Sequence, residues 1–211
     1  VLTAVLLGFA LGIRHAADPD HVAAVAALVA RHRRARVAAS IGAAWGAGHS
    51  LTIVGVGGVL VALRIAVPES LAIGAELLVA AILIGLGFAN LRSLRHGATR
   101  AASHAAAHGL GRTGLRAFAI GIAHGLGGSA AVALLALAAM PTAATAAVYL
   151  AVFGVGTVGG MVALSFGIGI PLAAASDTPL VSRWVLGGSG ALSICAGIYL
   201  ALSTGAFTTA L

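Results

Sequence analysis

The chain has 211 residues, 60% of them hydrophobic and 8% charged, with a mean hydropathy of +1.09. Soluble domains carry about 25% charged residues, so the composition excludes a disordered chain or an ordinary soluble domain and points to a membrane. The net charge of +7 comes entirely from Arg, mostly at the ends of apolar runs, which reads as a topology signal and not as a nucleic-acid footprint.

A helix that crosses a bilayer needs about 20 mostly apolar residues. Six stretches meet this, roughly 2–30, 37–63, 71–91, 117–140, 143–170 and 184–203. They are continuously apolar, whereas barrel strands alternate. The expected fold is therefore an all-α integral membrane protein with six transmembrane helices. The connections are short except 92–116, a basic stretch containing His96, His104 and His108. The loop at 31–36 is also basic and contains His32, and Arg183 opens the last helix. By the positive-inside rule these lie in the cytoplasm, which puts both termini outside a multi-pass protein of the cytoplasmic membrane. Arg64 and Glu69 fall on the opposite side. The lone Cys195 excludes an intrachain disulfide and a Cys-based metal site. A cleavable signal peptide is not expected, because polar chemistry starts only fourteen residues in.

The chain has five acidic residues: Asp18, Asp20, Glu69, Glu76 and Asp177. Asp18 and Asp20 fall inside the first apolar stretch, in Arg14-His15-Ala16-Ala17-Asp18-Pro19-Asp20-His21. An Asp at the bilayer centre costs about 2.5–3.5 kcal/mol even on insertion scales. A divalent cation offsets that cost, because it favours carboxylate and neutral imidazole together. In a regular helix His15, Asp20 and His21 point in three directions. Pro19 has no N–H and its ring clashes with the carbonyl of His15, so a break there can turn the three toward one ion. Imidazole and carboxylate without thiolate suit Ni, Co, Cu or Zn better than Mg or Ca. Asp18 is weighed evenly between a ligand and an ion pair with Arg14, at i,i+4.

In the second stretch, Trp45-Gly46-Ala47-Gly48-His49-Ser50 places His49 among glycines that admit a neighbouring helix, making it a candidate ligand or pathway residue. Glu76 lies early in the third stretch, as a vestibule or interfacial residue. In the fourth stretch, His124-Gly125-Leu126-Gly127-Gly128-Ser129 carries a further candidate, His124, with no acid beside it. The segment Phe9–His15 matches Phe118–His124 at five of seven positions, offset by 109 residues, and Trp45-Gly46-Ala47-Gly48 resembles Phe153-Gly154-Val155-Gly156, offset by 108. Three helices are thus duplicated with opposite orientation, as in secondary transporters whose site lies between inverted repeats. The expected organisation is a first three-helix repeat over 1–91, the basic loop 92–116, and a second repeat over 117–211.

The pattern H-x4-D-H, present as His15, Asp20 and His21, resembles the motif of the nickel/cobalt transporter family, and Gly48-His49-Ser50 resembles its second signature. The six-helix layout and the His124 segment look most like the small urease-accessory, UreH-like branch. The resemblance implies a permease for Ni²⁺, with Co²⁺ as a second substrate, and metal selection by His15, Asp20 and His21 with His49 as partner. It implies uptake as the direction, transported metal in place of a cofactor, no enzymatic activity, and delivery to a metallochaperone or urease-maturation system. Related members with His-rich loops export metal, so efflux is the competing direction. A haem- or zinc-binding intramembrane protein is a weaker reading: no H-E-x-x-H occurs, and acids beside His15 and His21 do not suit an apolar macrocycle. An ion-pair-stabilised membrane scaffold is the remaining one.

Overall fold

A computed structural model describes residues 1–32, 34–63, 68–95, 101–127, 137, 139–174 and 178–204. Every extended element among them is a helix. Among the described residues, four helices are long and apolar enough to cross a membrane: Ala35–Leu60, Glu69–Leu94, Ala143–Ala174 and Leu180–Ser203. With the buried polar centre described below, this is a helical membrane protein.

The first apolar stretch is two short helices, α1 (Leu2–Ala16) and α2 (Pro19–Val29). Asp18 is extended (φ −61°, ψ 145°) and Pro19 takes the first helical position of α2, where its missing N–H costs nothing. The His15 carbonyl, denied a partner at Pro19, accepts from the Asp18 N–H at 3.1 Å. Next come α3 (Ala35–Thr52), a π-helical turn at Ile53–Gly57, and the short α4 (Gly58–Leu63). Helix α5 is Glu69–Arg95 and α6 is Ala101–His124.

Helix α6 changes two expectations. It starts at Ala101, so much of the anticipated loop 92–116 is helical. It also stops at His124, where the sequence suggested a helix running to 140. The carbonyl of His124 accepts from Gly127 N–H at 3.0 Å, the same three-residue closure that follows His15. Here glycines make the break that Pro19 makes in the first stretch. Residues 128–136, together with Arg64, His96 and Asp177, lie outside the described residues, as do the side chains of His104 and His108. The chain continues with α7 (Ala143–Ala174) and α8 (Pro179–Ser203).

Glycines set the packing, because small residues let membrane helices approach closely. Helix α7 lies between α1 and α3, and α6 lies on the other side of α3. A Cβ at Gly12 would collide with the Phe153 carbonyl, and one at Gly121 with the Trp45 carbonyl. A Cβ at Gly156 would lie 2.7 Å from the Phe9 carbonyl, and one at Gly48 would strike the Phe118 carbonyl. Contacts advance together along α1 and α7, and along α3 and α6, so each of these pairs is parallel. Along α3 and α7 they advance in opposite senses, from Gly46 on Val158 to Ser50 beside Gly154, so that pair is antiparallel. Helices α5 and α8 form a second antiparallel pair, in which Gly87 and Gly190 face each other's carbonyls. Helix α2 leans on this pair.

Buried polar side chains bond across helices. Ser193 Oγ donates to the Leu83 carbonyl at 2.7 Å, and Thr52 Oγ1 to the Ile122 carbonyl at 3.1 Å. The sole Asn in the chain, Asn90, is buried. It donates to the Ala27 carbonyl (2.9 Å) and to Ser189 Oγ (3.2 Å), and its Oδ1 accepts from Arg31 Nε at 2.9 Å. A carbonyl in the last turn of α2, with no intrahelical partner, is thereby satisfied.

Candidate metal centre

The two helix breaks face each other inside the bundle. His15 lies in the last turn of α1, His21 in the first turn of α2, His49 near the end of α3, and His124 ends α6. All four imidazoles are buried. Their ring centroids stand 4.6 Å apart for His15 and His21, 4.8 Å for His21 and His49, and 4.8 Å for His21 and His124. His21 is thus at the centre of the group.

Two carboxylates orient the outer imidazoles. His15 Nδ1–H donates to Asp18 Oδ2 at 2.9 Å, so Asp18 turns to His15 instead of Arg14. That bond fixes the proton on Nδ1 and leaves Nε2 with its lone pair, the arrangement that supports metal-ligating histidines. His15 Nε2 lies 2.8 Å from His49 Nε2. With His15 already protonated at Nδ1, His49 Nε2–H is the donor. The second carboxylate, Asp20, accepts from His124 Nε2–H at 3.0 Å and stands 3.5 Å from His21 Nδ1. The fourth stretch brings no acid of its own, and the first supplies one from 104 residues away.

The ligand atoms fall into two groups, His15–His21–His49 and Asp20–His21–His124, with the atoms of each within 4.8 Å of one another. Both nitrogens of His21 lack a hydrogen-bond partner, as do Nδ1 of His49 and Nδ1 of His124. Unsatisfied buried polar atoms are costly, and a cation held by either group would take up donor capacity that the protein leaves unused. Zinc-like ions hold imidazole nitrogen at about 2.0–2.1 Å, so small shifts would close either group.

Trp45 and Phe153 wall the centre. The Phe153 ring lies 5.5 Å from that of His15 and tilted to it by 34°, and Trp45 stands 5.3 Å from His124 and 5.3 Å from His21. These aromatics were legible only as aligned positions of the repeat. Beside the centre is a cavity of about 700 Å³. Asp18, Asp20, Glu76 and His124 are among its polar lining, while Val79 of α5 and Leu192 of α8 supply part of its apolar wall. Glu76 therefore lines a cavity that Asp18 and Asp20 also line. Cys195 also lines it.

The fold and the centre define a helical membrane protein with an imidazole–carboxylate cluster between broken helices. The urease accessory protein UreH of Bacillus sp. (strain TB-90) is 31% identical to this chain over 214 residues, covering 97% of the chain and 93% of that relative. The chain belongs to the nickel/cobalt transporter family, in its UreH-like branch. No family model and no solved structure matches it.

Proposed function

We propose that the protein is a permease that carries Ni²⁺, with Co²⁺ as a second substrate, inward across the cytoplasmic membrane. The observation that carries this reading is the buried cluster of His15, His21, His49, His124 and Asp20 beside a cavity lined by carboxylates. A resident structural metal would not need a vestibule of that size. The name of the UreH relative supports a role in nickel supply for urease maturation, with a cytoplasmic metallochaperone as the receiver.

The internal pattern supports transport by two inverted three-helix repeats, 1–91 and 117–211. Gly12 on Phe153 corresponds to Gly121 on Trp45, and Gly156 on Phe9 to Gly48 on Phe118. The bonds that close the helices after His15 and His124 correspond as well. In this reading the cavity opens outward, at the end where α5 begins and α8 ends, and both termini are outside. Arg31, Arg34 and Arg36 then face the cytoplasm. An ion is drawn in by Asp18, Asp20 and Glu76, exchanges water for imidazole, and leaves when the repeats rock.

The test is radiolabelled nickel accumulation in cells that express the protein, with excess cobalt as competitor. Wild-type cells should accumulate more nickel than empty cells, and His15→Ala and Asp20→Asn should lose the gain at equal expression. Unchanged accumulation in both variants would remove the cluster from the mechanism. Lower accumulation in wild-type cells than in empty cells would reverse the direction to efflux.

A further inference from the structure

The five ligands are not arranged as one shell. Asp20 and His124 line the cavity, whereas His15, His21 and His49 do not. Asp20 is 19% exposed on its side chain, and His21 and His124 are fully buried there. The two other histidines, His15 and His49, touch each other, and His15 lies beside Phe153. His21 belongs to both groups. Its ring lies equally far from His49 and from His124, at 4.8 Å each, while those two rings are 5.8 Å apart. Neither of its nitrogens has a hydrogen-bond partner, and Asp20 Oδ1 stands 3.5 Å from Nδ1, so no hydrogen bond holds the ring in place.

We propose that the protein holds two overlapping metal stations that an ion occupies in turn. The vestibule station is Asp20–His21–His124, and the buried station is His15–His21–His49. His21 is the shared ligand, so one ion occupies the pair at a time, and His21 stays bound while the ion exchanges Asp20 and His124 for His15 and His49. This inference rests on the permease reading for its purpose, but the two stations are defined by binding alone. The vestibule station carries a carboxylate and suits the first capture of a hydrated cation. The buried station offers three imidazoles and selects for ions that favour nitrogen. Splitting the ligands in this way lets an ion advance without being stripped of all its donors at once.

The experiment uses purified full-length protein in detergent, titrated with Co²⁺ and followed by visible absorption, together with radiolabelled nickel uptake in cells. Loss of an outer-shell partner already lowers metal affinity roughly 10- to 100-fold, and loss of the shared ligand should exceed that. Wild type should bind one Co²⁺. His49→Ala and His124→Ala should each still bind one, with spectra that differ from each other, and both should transport at least about tenfold more slowly. His21→Ala should bind none. The two-station proposal is overturned if a folded His49→Ala or His124→Ala loses Co²⁺ altogether, if wild type binds two ions, or if either variant transports at the wild-type rate. Size-exclusion profiles establish folding, and Asp20→Asn replaces His124→Ala should that variant aggregate. If wild type binds Co²⁺ as expected yet moves no nickel, the permease reading fails and the stations stand.

Discussion

The regions around His15 and around His124 are built alike in backbone and unlike in chemistry. Each histidine lies in the last turn of a helix, is closed by a three-residue backbone bond, stands beside an aromatic ring and is hydrogen-bonded to an aspartate. Beyond that the correspondence stops. Both aspartates come from the first half. His49 has Thr157 as its counterpart at the 108-residue offset, and the Thr157 hydroxyl donates to the Phe153 carbonyl within its own helix. The close approaches at Gly12 and Gly121, and at Gly48 and Gly156, correspond because they determine whether the helices pack. The polar side chains between them do not correspond.

The strongest way to break this comparison is at the glycines. Gly12→Ala and Gly121→Ala each drive a methyl into a backbone carbonyl, which no rotamer can relieve. Each should cost about 3 kcal/mol or more, the upper range for overpacking, read as a fall in the unfolding temperature of purified protein. A large loss at one and none at the other would mean that the two close approaches are not equivalent.

A smaller effect is expected from Asp18→Asn, which keeps the shape and removes the charge that fixes His15. Co²⁺ affinity should drop roughly 10- to 100-fold, with no loss of expression. An affinity equal to wild type would reduce Asp18 to a helix-cap residue and leave Asp20 as the one functional acid of the pair.

The smallest effect concerns His32, after α2. Burial first, and then Arg31, hold its pKa below the ordinary value, near 6.5 in the unfolded chain. The unfolded state therefore takes up the proton first, and the stability that His32 contributes above about pH 6.5 is lost as the pH falls through its folded value. His32→Gln should reduce the destabilisation between about pH 7 and pH 5, measured as the difference in unfolding temperature from wild type. Identical pH profiles for the two proteins would remove His32 as a contributor.

Much of this was legible from rare residues in a plain background. Two aspartates in an apolar stretch, with Pro19 between them, disclosed both a polar centre and a helix break. Aligned Phe, Gly and His pointed to segments whose glycines make matching close approaches. Three things were not legible. Continuous hydropathy after His124 hid the second break, because glycines interrupt a helix without lowering hydrophobicity as charge does. The partner of Asp18 depended on which way a short extended segment turned, and i,i+4 spacing favours Arg14 only while the helix continues. The division of ligands between cavity and interior depends on where α5 and α8 stand, and no local pattern in their sequences records it.

Helix α7 lies between α1 and α3, and this has a consequence for how the protein is made. His15, His21 and His49 are all in the first fifty residues, yet α1 and α3 are held together chiefly by the helix that begins at Ala143. Domains and segments emerge from the ribosome N-terminus first, so the nascent chain carries all three histidines long before it has the wedge that assembles them. The gathering of these side chains is therefore a late product of membrane insertion, and a chain stopped after α5 would contain the three histidines without their arrangement.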